Sequence, residues 1–185
     1  MKRTPRTFKA VPQPVEVSSG DLSRELGLPW KQIGMPRLLI GRREWVGLPE
    51  LGISPLNAKS DSGARSSSLH AEEVLLSEDK KRVTFVTLNH YGNRISCMAA
   101  VVGLLKVRSS SGIARRRIFI ETEAVLAGGC SLRIRLSLAN RGVMLCPMLL
   151  GRQALSGYFL IDPQGSHLLG GVRDLERFVP GTRPL

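Results

Sequence analysis

The sequence is poor in aromatic residues, which make up 5% of its 185 residues. Proteins that bind single-stranded nucleic acid without sequence preference stack the bases on aromatic side chains, so this scarcity disfavours that class. Leu, Val and Ile must therefore supply most of the hydrophobic core. Hydrophobic residues reach 42% and charged residues 23%, which is ordinary for a globular domain.

Cysteines are also few, and Cys97, Cys130 and Cys146 lie far apart in the chain. An odd number of cysteines without a CxxC pair is poor evidence for a disulfide framework or a zinc site. We expect three small buried hydrophobic residues in a reducing compartment.

Long apolar runs are missing, and no stretch approaches the roughly 20 residues of a membrane-spanning helix. The basic start of the chain is followed by prolines and further cations, where a signal peptide needs an apolar segment. We therefore expect a cytoplasmic protein that does not bind membranes.

Several catalytic motifs are absent as well. His70 is followed by Ala-Glu-Glu without the second His of an HExxH zinc site, and no GxxxxGK[ST] phosphate-binding loop occurs. Ser66, Ser67 and Ser68 lack the GxSxG context of a serine nucleophile. We expect no metal and no cofactor.

Positive charge is what the chain has in excess, with a formal net charge of +12. Such a field attracts polyanions, whether nucleic acid, anionic lipid or acidic peptide, although a basic surface without a specific partner also carries it. Residues 1–36 are rich in Pro, Lys, Arg and Ser. We expect them to form a basic, largely disordered arm.

The pattern of hydrophobic residues favours an all-β domain over residues 37–172, followed by a tail over 173–185. In residues 131–138 apolar and polar residues alternate strictly, which is typical of a strand with one wet face. Glycine-rich turns bracket this segment. Further apolar runs predict strands at 38–41, 83–88, 95–105, 118–125 and 158–161, and short helices begin near 153 and 172. Together they predict a small, closed or nearly closed β-barrel.

Two short segments are the candidates for chemistry. Asp61-Ser62-Gly63 describes a tight turn in which backbone N–H groups can reach the carboxylate, but alone such a turn is usually an ordinary surface feature. Leu149-Leu150-Gly151 is an apolar pair followed by a glycine, which lets a strand pass close behind another loop. Taken alone, it is an ordinary strand end.

Asp-Ser-Gly-Ala at 61–64, followed by Leu-Leu-Gly-Arg at 149–152, resembles the motifs of the retropepsin-like aspartic peptidases, which include the retroviral proteases. The chain is more closely similar to a bacterial family often labelled ATP-dependent zinc protease. That resemblance covers about residues 37–170 and is carried by four motifs in order, at residues 41–46, 59–71, 108–112 and 148–152.

The resemblance implies a single-lobe retropepsin-like acid-protease β-barrel that forms a homodimer. Asp61 would be the catalytic carboxylate, and Ser62 would replace the family's Thr, whose hydroxyl bonds across the dimer. Gly63 and Ala64 would line the floor of the substrate groove. The strand behind the catalytic turn would consist of Leu149, Leu150 and Gly151.

The resemblance also places a flap at the hairpin 107–118, with its tip at Ser109, Ser110, Ser111 and Gly112; a plain exposed hairpin is the alternative. One departure from the family concerns Arg65. Retroviral enzymes have an acidic residue there, which pairs with the arginine that stands here as Arg152. Arg152 must therefore have another partner.

An aspartic peptidase needs two carboxylates that share one proton, because two like charges about 3 Å apart cannot both ionise easily. The chain holds one such motif, so a homodimer must supply the second copy of Asp61. The expected substrate is a peptide or protein, favoured by the basic charge if it is acidic. Some relatives are encoded beside ligases that add glutamate tails to a ribosomal protein, which points to poly-glutamate.

The competing prediction is a noncatalytic basic β-barrel that binds RNA or a ribosomal surface. It accounts for the net charge and for clusters such as Arg115-Arg116-Arg117. It does not account for the paired motifs at 61–64 and 149–152. RNA binding should weaken steeply with salt and survive Asp61→Asn, whereas peptidase activity should be lost in that variant.

Overall fold

The computed structural model of the protein describes residues 37–108, 114–142 and 144–180. The predicted basic arm at 1–36 lies outside the described residues. So do the predicted flap tip (Ser109, Ser110, Ser111 and Gly112) and the last five residues of the predicted tail.

Strands dominate the described chain, and the prediction of an all-β domain is confirmed. The strands are β1 Leu38–Gly41, β2 Arg43–Leu48, β3 Ile53–Asp61, β4 Ser67–His70, β5 Glu72–Leu76, β6 Arg82–Leu88, β7 Arg94–Ala100, β8 Gly103–Arg108, β9 Ala114–Leu126, β10 Ser131–Ala139, β11 Met148–Gly151 and β12 Phe159–Asp162. A 3-10 turn spans Pro49–Leu51, and two short helices follow β11 and β12, α1 Arg152–Leu155 and α2 Val172–Glu176.

Six strands close into a barrel in the order β10-β4-β11-β3-β2-β9, and pairing of β9 with β10 completes the ring. In this ring β11 runs parallel to β3 and antiparallel to β4. Closure leaves the barrel without a free edge among these six strands, as the predicted closed barrel requires.

Alternating side chains of the barrel strands fill its interior. On β10, Leu132, Ile134, Leu136 and Leu138 are buried, whereas Ser131 and Arg133 are exposed. The strict alternation in the sequence therefore corresponds to one face in the core. The other face is exposed at the start of β10 and becomes buried at Ser137. The core is almost entirely aliphatic, as the low aromatic content predicts.

The longest strand, β9, carries the chain out of the barrel. Its second half pairs with β10, whereas its first half pairs with β8 from Ala114 to Phe119. The β8–β9 hairpin thus projects from the barrel, at the position predicted for the flap.

The predicted strand 95–105 is wrong in its extent, because two strands occupy it. β7 ends at Ala100 in a three-stranded sheet with β5 and β6, and β8 begins at Gly103 beside β9. Val101 and Val102 connect the two sheets through backbone hydrogen bonds to Lys81 and Phe119. The apolar composition continues while the chain changes its partner, so hydrophobicity alone does not reveal the break.

A second, smaller hydrophobic cluster lies at the C-terminal end of the described chain. Leu175 and Val179 are buried there with Val125 and Ala127, and Trp45 packs against them. Residues 173–180, which the sequence analysis assigns to a tail, therefore contribute buried side chains to this cluster.

Candidate active site

Asp61 is the last residue of β3, and the turn that follows is folded around its carboxylate. The backbone N–H groups of Gly63 and Ala64 each donate to Oδ1 at 3.0 Å. This is the turn that Asp followed by Ser-Gly favours. A methyl group on Gly63 would lie 3.2 Å from Oδ1, so glycine keeps the approach open. The half-buried carboxylate is thus held by its own loop.

Gly151 passes directly behind this turn. In the parallel pairing of β11 with β3 it lies opposite Asp61, and its N–H donates to the hydroxyl of Ser67 at 3.1 Å. A Cβ atom here would lie 2.4 Å from the carbonyl carbon of Ser66. Only glycine fits without displacing backbone, which is the close passage that the sequence indicates.

Arg152 has a partner in the turn that follows Asp61. Its Nη1 donates to the carbonyl oxygens of Ser62 and Gly63, both at 2.9 Å, and its backbone N–H donates to the carbonyl of Ala64 at 2.8 Å. The guanidinium therefore ties the turn to the start of α1. The carbonyl oxygens of the turn thus serve as the partners of Arg152, in place of the acidic residue that retroviral enzymes have where Arg65 stands here.

On its other side, β3 is held by the tight turn between β1 and β2. The hydroxyl of Ser60 donates to the carbonyl of Gly41 at 2.8 Å, and the N–H of Ser60 donates to the carbonyl of Arg42 at 3.0 Å. Because Ser60 precedes Asp61, the position of this turn decides where the end of β3 lies.

Glu44 secures that turn from within the protein. Its fully buried carboxylate accepts hydrogen bonds from the N–H groups of Gly41 at 2.7 Å, Leu168 at 3.0 Å and Leu169 at 3.3 Å. Three backbone donors offset the cost of burying a charge. Glu44 thereby connects the β1–β2 turn to the chain segment before α2.

Asp61 lies in a groove of about 1050 Å³ across one end of the barrel. Met144 and Leu145 give one side an apolar rim, with exposed fractions of 57% and 77%. Among the described lining residues Asp61 is the one carboxylate, whereas six are cations: Arg42, Arg43, Lys59, Arg65, Arg117 and Arg141.

Two of these cations are direct neighbours despite their mutual repulsion. Arg43 and Lys59 are direct cross-strand partners in the β2–β3 pair, and like charges in such a pair destabilise a sheet. Local conflicts of this kind are expected at functional sites. The groove therefore suits an anionic ligand.

The predicted site residues occupy different places around this groove. Asp61, Gly63, Ala64 and Leu149 line it, and the side chain of Ser62 is exposed on the turn. Leu150 is fully buried in the core. Gly151 and Arg152 support the turn from behind.

Four of the groove's six cations, Arg42, Arg43, Lys59 and Arg65, lie within the motifs at 41–46 and 59–71, but the sequence does not assign them to a common binding surface. Lys59 had a usable signal, since a strand ending at Asp61 places Lys59 on the same face two residues earlier. Arg117 belongs to the basic cluster at 115–117, whereas Arg141 lies in none of the motifs. Their presence in one groove depends on the pairing of β9 with β10, which the sequence does not reveal.

Among the described residues, no three His, Cys, Asp or Glu side chains are grouped so that they could hold a metal ion. None of the helices in the described ranges combines the length and the apolar character needed to cross a membrane.

Comparison with known families gives a match over residues 39–169. The matching family is RimB-like, described as "Retropepsin-like aspartic endopeptidase RimB". The resemblance to the retropepsin-like aspartic peptidases is thereby confirmed. The family's description carries neither the zinc nor the ATP of the other label.

Curated proteins similar to the chain carry a different name. A "Probable alpha-L-glutamate ligase" of Parasynechococcus marenigrum is 39% identical over 142 residues, covering 74% of this chain and 30% of the relative. A protein of the same name from Shewanella pealeana is 35% identical over 145 residues, covering 76% of this chain and 31% of the relative. The chain thus spans less than a third of the length of these relatives.

One solved structure similar to this fold is that of Lpg0085 from Legionella pneumophila, a protein of unknown function (DUF785). It has a TM-score of 0.61 and 26% sequence identity, and the match covers 72% of this chain and 99% of that chain. The described barrel therefore corresponds to nearly the whole of that protein.

Proposed function

Because the chain belongs to the RimB-like family of retropepsin-like aspartic endopeptidases, we propose that it hydrolyses peptide bonds and that Asp61 is its catalytic carboxylate. The observation that carries this proposal is the position of Asp61 in the groove. Its turn is held by Gly151 and Arg152 behind it, and its Oδ1 is held by two backbone N–H groups. A reacting group needs such fixed geometry.

The reaction requires two copies of Asp61, supplied by a homodimer. One carboxylate accepts a proton from the attacking water while the other donates its proton to the carbonyl oxygen of the peptide. Among the described residues nothing donates to Oδ2 of Asp61, which leaves that oxygen for the water and the second carboxylate. Ser62 is exposed beside Asp61, where its hydroxyl can donate across the two-fold axis.

The substrate we propose is an acidic peptide, and poly-glutamate in particular. Six cations and one carboxylate line the groove, so a neutral or cationic peptide gains little from it or is repelled. The curated relatives bear the name of a glutamate ligase. An endopeptidase that shares sequence with proteins of this name would act on a peptide that contains glutamate.

Mixing active and inactive protomers tests the shared site. Wild-type protein is re-equilibrated with an equal amount of Asp61→Asn, which we expect to fold and to form mixed dimers. Random association leaves about a quarter of the dimers with two intact carboxylates. The rate at which the mixture hydrolyses a glutamate peptide should therefore be about half the rate of the same amount of wild-type protein measured without the variant. Unchanged hydrolysis would show that one protomer suffices.

The basic groove also favours a second candidate, a barrel that binds RNA without catalysis. In that case, RNA binding should fall steeply with salt and be unaffected by Asp61→Asn. The observation against this candidate is the construction around Asp61, because a phosphate-binding groove gains nothing from a carboxylate on its floor.

A further inference from the structure

Arg117 and Arg141 differ in their surroundings from the exposed cations of the groove. Arg117 lies on β9 and Arg141 in the loop after β10, and both side chains are half-buried in the groove that holds Asp61. In the described ranges neither forms an ion pair with a carboxylate. The Nε of Arg141 is buried there and has no hydrogen-bond partner. A half-buried guanidinium without an anion is an unfavourable arrangement that a bound anion would relieve.

The two guanidinium groups also act on each other. Burial lowers the pKa of Arg141, the charge of Arg117 lowers it further, and Asp61 and Cys146 partly offset this. Arg117, Arg141 and Asp61 line the same groove, so an anion bound by the two arginines would lie in the groove that holds Asp61.

The backbone of Arg141 is fixed, so its side chain starts from a defined point. Its N–H donates to Nδ1 of His70 at 2.9 Å, and His70 is 2% exposed. The Nε2 of His70 lies 3.3 Å from Oε1 of Glu72, and Asn140 accepts the N–H of Gly142 at 3.0 Å. A binding group is most effective when packing and hydrogen bonds hold it before the ligand arrives.

We propose that Arg117 and Arg141 form a carboxylate-binding site that reads an acidic side chain of the peptide beside Asp61, and that this pair determines the preference for acidic over neutral peptides. The proposal rests on the proposed function for the identity of the ligand. Arg43 is also half-buried, but it lies in the β2–β3 pair opposite Lys59. The other three cations act differently. Arg42, Lys59 and Arg65 are exposed, so water screens their charges, and they attract anions without selecting one position.

The test measures binding and not hydrolysis. The Asp61→Asn protein is titrated with a fluorescent peptide of five glutamates and with the matching peptide of five glutamines. Arg117→Gln and Arg141→Gln are added to this background. Each should weaken binding of the glutamate peptide by about 10-fold or more, since each removes a charge-assisted bond. Binding of the glutamine peptide should be weak and unchanged in both.

Arg42→Gln is the matched control. It removes the same charge from the same groove but at an exposed position, so we expect a loss of about twofold. Arg117→Lys and Arg141→Lys keep the charge without the planar fork and should give intermediate losses. Circular dichroism and thermal unfolding identify any variant that fails to fold, and the Lys variants then carry the comparison.

Equal losses for Arg42→Gln, Arg117→Gln and Arg141→Gln would overturn the proposal, because a diffuse field would then explain the preference. Equal binding of the two peptides by the parent would overturn it as well. If the glutamate peptide binds as expected but wild-type protein never cleaves it, the proposed function fails while the binding site stands.

Discussion

Replacement of Gly151 by alanine tests how closely β11 must pass behind the turn that follows Asp61. The new methyl group would lie 2.4 Å from the carbonyl carbon of Ser66 and 2.5 Å from its oxygen. Carbon atoms in contact settle at about 3.5–4.0 Å. Either β11 or the segment before β4 must therefore move by about 1 Å, and both are backbone.

The cost follows from two contributions. Overpacking a filled site costs about 1–3 kcal/mol. Displacement of β11 also strains the hydrogen bond from Gly151 to the hydroxyl of Ser67, which adds about 1 kcal/mol. We expect a loss of about 2–4 kcal/mol in the free energy of unfolding and of about 5–15 °C in Tm.

Urea denaturation followed by circular dichroism measures this loss, and peptide hydrolysis under native conditions measures the site. Hydrolysis should fall even where the protein remains folded, because Arg152 moves with β11. Gly142→Ala is the control, since its nearest neighbour would lie 3.4 Å away, an ordinary contact, and we expect a change within about 0.5 kcal/mol. If Gly151→Ala is as stable as this control, our reasoning about the close passage is refuted.

Three further predictions concern the surroundings of the site. Arg152→Ala should lower the rate of peptide hydrolysis by at least about tenfold, because the exposed guanidinium holds two carbonyls of the turn. Arg152→Lys should lie between this variant and wild type, and measurement of kcat and KM for each protein shows the loss. Glu44→Gln should cost about 1–3 kcal/mol in urea unfolding, because an amide cannot accept from all three N–H groups of its site. The pKa of His167 is lowered from 6.5, mainly by burial; the charges of Arg43 and His90 lower it further, and the charge of Glu44 opposes them. The unfolded chain therefore binds more protons than the folded protein, and stability should fall as the pH drops below about 6.5. His167→Asn, which tolerates the φ of 56° at this position, should flatten that dependence in unfolding curves between pH 7 and 5, and an unchanged slope would contradict the assignment.

Local patterns predict much of the barrel. The alternation at Ser131–Ala139 identifies β10 and the face that it buries. The same rule applies to β6, where Val83, Phe85 and Thr87 are buried. Strands with short or polar sequences escape this reasoning. β3 contains Pro55 and Asn57, and β4 is Ser-Ser-Leu-His, so neither shows an apolar run.

The turn that follows Asp61 is predictable because its hydrogen bonds are local. Asp61, Gly63 and Ala64 form their hydrogen bonds within four residues. Arg117 and Arg141 are 24 positions apart and line one groove because β9 and β10 pair and the barrel closes. Glu44 likewise binds N–H groups more than 120 positions away. No periodicity in the sequence records such partners.

The most direct test of the central claim is mass spectrometry of a glutamate-tailed peptide incubated with wild-type protein or with Asp61→Asn. Our account predicts internal cleavage within the tail by wild-type protein and an intact peptide with the variant. Cleavage at the same sites and rate by Asp61→Asn would contradict it.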